Sequence, residues 1–128
     1  MSRRASVIAW TARAALLAVF AVALYGAIDP RHNHAASAPP PDAVEHIIYG
    51  YLLTLLSIAA APRLNPWLIG GAFLAVGVVF EAAQALGLVA GTAQWQDLAS
   101  NVAGVAAALA PLALGRLRRP ISSGADRL

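Results

Sequence analysis

Six residues of this chain combine the groups and the spacing that proton transfer or polar recognition requires. Asp42 and His46 stand four apart, Glu81 and Gln84 three apart, and Asp97 and Asn101 four apart. On a helix such pairs share a face, so each would present two polar groups side by side. An imidazole beside carboxylates can take and return a proton as a general acid or base, with Glu81, His46 and Asp97 as the catalytic candidates. The same carboxylates, imidazole and amides can instead hold a polar headgroup by hydrogen bonds. One histidine with two or three acids could also hold a divalent metal. That metal pattern is weak, since His-Glu-x-x-His and a nucleophile elbow are both lacking. No metal or cofactor is therefore expected.

The elements that position these groups are apolar. The 128 residues are 59% hydrophobic and 12% charged, with a mean hydropathy of +0.66. A soluble domain of this length carries about a quarter charged residues. Between Leu64 and Gln96 the one formal charge is Glu81. Such a stretch can cross a bilayer, because about 20 residues cover about 30 Å of hydrocarbon. A carboxylate there costs several kcal/mol unless it is paired or wetted, which marks Glu81 as a functional candidate. The sequence pI is near 10.2, but the basic residues flank apolar runs and form no stripe with interleaved aromatics, so nucleic acid is not an expected partner. Cysteine is absent, which excludes disulfides, thiolate ligands and cysteine nucleophiles.

Four runs predict an all-α integral membrane bundle of four transmembrane helices, over about residues 7–28, 43–61, 66–89 and 98–115. Arg13 can snorkel from the first run to the headgroups. The Pro-rich stretch 29–41 breaks the chain, and Asn65 followed by Pro66 reads as the cap and first position of the third helix. Pro111 is expected to kink the fourth. Trp10, Tyr25, Trp67 and Trp95 stand at run ends, where aromatic belts form. Arg3, Arg4, Arg13, Arg63, Arg116, Arg118, Arg119 and Arg127 fall on one side of a four-span topology, and Arg31 on the other. The positive-inside rule then places both termini in the cytoplasm. The acids Asp29, Asp42, Glu45, Glu81 and Asp97 lie outside or in the outer half, and Asp126 inside. A cleaved signal peptide is the rival reading of the first run, with Ala36-Ser37-Ala38 as the cleavage tripeptide. Pro39 and the distance from the apolar core argue for a retained span.

Helical spacing puts Asp42, His46, Tyr49 and Leu53 on one face, Gly70, Gly77, Glu81 and Gln84 on a second, and Asp97, Asn101, Gly104 and Ala108 on a third. Each polar set lies toward the outer end of its helix, with Glu81 roughly 12 Å below the end of the third run. The small residues let helices approach closely. Structural roles compete residue by residue. Asp42 and Glu45 match a capping box, and Asp97 can cap the fourth helix. Gln84 and Asn101 can simply bridge helices. His46 can be wetted by headgroups. His32 and His34 read as solvated loop residues and Ser100 as a packing residue. Glu81 has no basic residue at its depth, so its expected partners are His46, Gln84, Asn101, water or a proton.

At these residues the chain resembles the VanZ-like family of small bacterial membrane proteins, named for a glycopeptide (teicoplanin) resistance protein. The family pattern is matched by Asp42…His46, by Glu81-Ala82-Ala83-Gln84, and by Asp97 followed by Asn101 and Gly104, over roughly residues 42–108. It departs at Ala43 and Gly91, where the family usually has Lys and Arg, and Tyr49 and Tyr51 straddle the place of its usual aromatic. The resemblance implies a single VanZ-like domain over residues 1–128, with a short basic cytoplasmic tail at 116–128. It also implies an envelope-associated inner-membrane protein whose polar site opens outward. It supplies no reaction, and the two missing basic residues weaken any grip on an anionic headgroup. Three functions stay open: binding of an envelope lipid, cell-wall precursor or glycan through Asp42, His46, Glu81, Gln84, Asp97 and Asn101; a membrane enzyme on a lipid-linked substrate; and a structural partner of another membrane protein.

Overall fold

The computed structural model describes residues 3–28, 41–89 and 92–122. Asp29, Arg31, His32, His34, the Ala36-Ser37-Ala38 tripeptide, Gly91, Asp126 and Arg127 lie outside the described residues, as does the side chain of Asp42. The described chain forms four α-helices and no strand: α1 (Arg3–Ile28), α2 (Pro41–Ala60), α3 (Pro66–Ala85) and α4 (Trp95–Ser122). All four are long and apolar enough to cross a membrane, over Arg3–Tyr25, Ala43–Ala60, Pro66–Ala85 and Trp95–Arg116. Most large apolar side chains stay exposed, Val7, Leu17, Leu68 and Val79 among them. In water that surface would drive aggregation; hydrocarbon solvates it, and a bilayer is the environment this multi-pass chain requires.

The helix ends follow local chemistry. Asn65 caps α3, its side chain accepting from the Trp67 N–H at 3.0 Å, and Pro66 takes the first turn, as the Asn-Pro pair predicts. α3 stops at Ala85, four residues earlier than hydropathy predicts. Gly87 adopts φ +70°, and the N–H groups of Gly87 and Leu88 bond back to the carbonyls of Gln84 and Ala83. That pair of bonds is a Schellman ending, and apolar Leu88 and Val89 conceal it from a hydropathy reading. α4 starts earlier than expected because Trp95, Gln96 and Asp97 form its first turn. It then runs on through Pro111 and Gly115 into the basic tail. α2 begins at Pro41, so Asp42 is a first-turn residue and not the N-cap of a capping box.

α1 packs on α2, α2 on α4, and α3 on α4, with a lesser contact between α2 and α3. α2 and α4 run in the same direction. They cross at Gly50 and Gly104, where main chain meets main chain: a Cβ on Gly50 would lie 3.1 Å from the Asn101 carbonyl oxygen. A Cβ on Gly104 would strike the Ile47 carbonyl oxygen and sit 2.9 Å from the Tyr51 nitrogen. Side chains of lipid-facing residues gain little from water exclusion, so such close backbone approach is how membrane helices win packing energy. Gly70 of α3 instead makes room for side chains of α4, those of Val105 and Leu109.

Arg13 reaches the last turn of α2. Its Nε donates at 3.1 Å to the carbonyl of Ala60, a last-turn acceptor that α2 leaves without a helical partner, and its guanidinium lies 4.7 Å from the Trp10 ring centre. Thr54, one turn beyond Gly50, is fully buried, and among the described residues its hydroxyl has no hydrogen-bond partner. Thr54→Val keeps the shape and removes the orphaned group. We expect it to raise stability by up to about 1 kcal/mol in detergent unfolding.

Candidate functional site

The three acids with described side chains, Glu45, Glu81 and Asp97, stand at one end of the bundle, the end where α2 and α4 begin and α3 finishes. Arg3, Arg4, Arg13, Arg63 and Arg116 occupy the opposite end or approach it. At the acidic end three of the six candidate residues meet. His46 of α2 places Nδ1 3.3 Å from Oδ1 of Asn101 and Nε2 3.7 Å from Oδ2 of Asp97, both on α4. The parallel course of α2 and α4 and their glycine crossing, one turn further along, fix these distances. A histidine donates from one ring nitrogen when neutral and from both when charged. Here Nδ1 lies at hydrogen-bond distance from the Asn101 oxygen, and Nε2 faces the Asp97 carboxylate from slightly further away. The Asp97 side chain is 13% exposed and that of His46 36%, so the pair opens to its surroundings on the histidine side.

Asn101 also touches α3. A Cβ on Gly77 would come within 3.3 Å of the Asn101 amide nitrogen, so this glycine makes room for the side chain that holds the imidazole. Asn101 thereby joins three helices at one depth.

Glu81 does a different job. Its Oε2 accepts the backbone N–H of Gln94 at 2.8 Å, and no contact joins it to His46 or Asn101 among the described residues. Gln94 immediately precedes α4, and its carbonyl accepts the Asp97 N–H at 3.1 Å. In a capping box the acid at the third helical position reaches back to the N-cap N–H. Here Glu81 takes that donor from across the α3–α4 connection, and Asp97, at the third position, turns to His46 instead. One carboxylate caps the helix, and the other serves the imidazole. Glu81→Ala is expected to cost about 1 kcal/mol of stability, as the loss of a cap does, and Glu81→Gln, which keeps an acceptor, to recover most of it. Chemical unfolding of the two variants beside the parent decides this.

Of the remaining candidates, Gln84 is half-buried one turn after Glu81 and Asp42 contributes only backbone to the description. Among the described residues no three His, Asp or Glu side chains stand close enough to hold a metal ion. Residue types could not reveal the Glu81–Gln94 bond, because its donor is main chain. The signal present was positional: an acid near the end of one helix facing the polar start of the next. No family model, curated protein or solved structure matches the chain.

Proposed function

We propose that this is a VanZ-like protein of the bacterial cytoplasmic membrane, with both termini inside, whose His46–Asp97–Asn101 group faces the periplasm or cell exterior and binds a component of the envelope. The observation that carries the reading is the imidazole of α2 placed between Asp97 and Asn101, both of α4. Gathering a histidine, a buried carboxylate and an amide inside an apolar bundle costs desolvation that lipid-facing packing alone does not require. The orientation rests on the arginine distribution and the family on the residue pattern given above.

The chemistry of the group narrows the ligand. The acidic end carries Glu45, Glu81 and Asp97 and, among the described residues, no arginine. Its acceptors and its imidazole suit hydroxyl, amide or ammonium groups, as found on the sugar and peptide parts of a cell-wall precursor. Among the described residues they offer a bare phosphate no guanidinium.

The test is thermal unfolding of the purified protein with a lipid-linked disaccharide–peptide precursor, and with the bare polyprenyl phosphate carrier as control. The precursor should raise the midpoint and the carrier should not, and His46→Ala and Asp97→Asn should abolish the gain while the variants still fold. Conversion of the precursor during the incubation would make the protein an enzyme with His46 as base and Asp97 as its orienting partner. No shift by either compound, together with variants that fail to assemble, would leave a structural partner role.

A further inference from the structure

On another face of α4, between α3 and α4, lies a cleft of about 390 Å³. Its floor is made of small residues, Gly70 and Gly71 of α3 and Ala106, Ala110 and Ala113 of α4, and Trp67 stands at its end. The α4 residues that line it run from Val102 to Ala113, a rise of about 16 Å. The cleft is thus long and apolar, a shape that a single hydrocarbon chain can follow. Both helices are within their membrane-spanning stretches here, so the cleft opens to lipid.

The end of the cleft is cationic. The Arg116 guanidinium lies 5.4 Å from the Trp67 ring centre, which steadies it at the mouth while leaving it exposed. Arg63 is exposed in the turn just before α3. Among the described residues neither arginine meets a carboxylate, since Glu45, Glu81 and Asp97 all stand at the other end. Among the described residues these cations have no anionic partner, and an anion at the membrane surface would complement them.

We propose that the α3–α4 cleft binds one anionic phospholipid, with an acyl chain lying between Gly70 and Ala110 and the headgroup phosphate on Arg116 and Arg63. Guanidinium groups bind phosphate by paired charge-assisted hydrogen bonds, and indole rings settle at the headgroup level where Trp67 is found. The site is independent of the His46 group and of any reading of its function.

The experiment is mass spectrometry of the detergent-solubilised protein, with thermal unfolding in parallel, after addition of phosphatidylglycerol or of phosphatidylcholine with the same acyl chains. One phosphatidylglycerol should be retained per chain and raise the unfolding midpoint, at concentrations where phosphatidylcholine does neither. Arg116→Gln, at an exposed position, should weaken retention about tenfold, and Ala110→Phe, which fills the cleft, should abolish it. His46→Ala should leave retention unchanged. Equal retention of the two lipids would overturn the proposal, and so would phosphatidylglycerol retention unaffected by Arg116→Gln. A dimer dispersed by Ala110→Phe would give the cleft to a second copy of the chain and overturn it equally.

Discussion

Gly104→Ala should lose about 3 kcal/mol of stability and part α2 from α4, the largest effect we expect of any single methyl group in this protein. The added carbon meets main chain, not a side chain that could swing aside: the Ile47 carbonyl oxygen and the Tyr51 nitrogen. Relief requires the two helices to separate, and separation removes the contacts along their whole crossing. The His46–Asp97 and His46–Asn101 distances should lengthen with it, so a distance probe between α2 and α4 should move together with the unfolding midpoint. Gly115→Ala is the control, since nothing lies within 4 Å of the Cβ it would add. It should stay within about 1 kcal/mol of the parent, because only helix propensity changes. A Gly104→Ala protein as stable as Gly115→Ala would show that the α2–α4 crossing is looser than described.

Asp97→Ala is the second large effect, about 2 kcal/mol. The carboxylate is mostly buried, so its removal leaves the facing imidazole nitrogen without its acceptor in a weakly polar setting. Because His46 is more than a third exposed, solvent moderates the loss below the 3–5 kcal/mol of a fully buried pair. The cleaner measure is a double-mutant cycle with His46→Gln. The coupling should be about 1 kcal/mol, within the range seen for polar contacts between membrane helices. A coupling indistinguishable from zero would mean that the 3.7 Å approach contributes nothing, and that Asn101 alone positions the ring.

The four spans are legible in the sequence because each is a long apolar run with its turn chemistry attached, Asn65-Pro66 most clearly. The polar faces are legible too, since His46, Asp97, Asn101 and Gly104 follow helical spacing. What spacing cannot convey is which faces meet. Gly50 and Gly104 mark the places where helices come close, but any of three partners could have occupied either glycine. The boundaries that shift do so for local reasons. Gly87 ends α3 inside an apolar stretch that hydropathy counts as span, and polar Gln96 and Asp97 belong to the first turn of α4. Glu81 is the instructive case. An acid without a basic residue at its depth reads as unpaired, yet its partner is a backbone N–H, a donor that nearly every residue carries.

Glycine contact between α2 and α4 has a consequence for how the chain is made. The helix that α2 packs on most closely is synthesised well after it, with α3 in between. Until α4 enters the bilayer, the bare backbone at Gly50 faces lipid with nothing of its own shape against it. Closure of the α2–α4 contact is thus deferred until α4 is inserted, and a chain halted after α3 would present a surface matched to the α4 of a neighbouring copy.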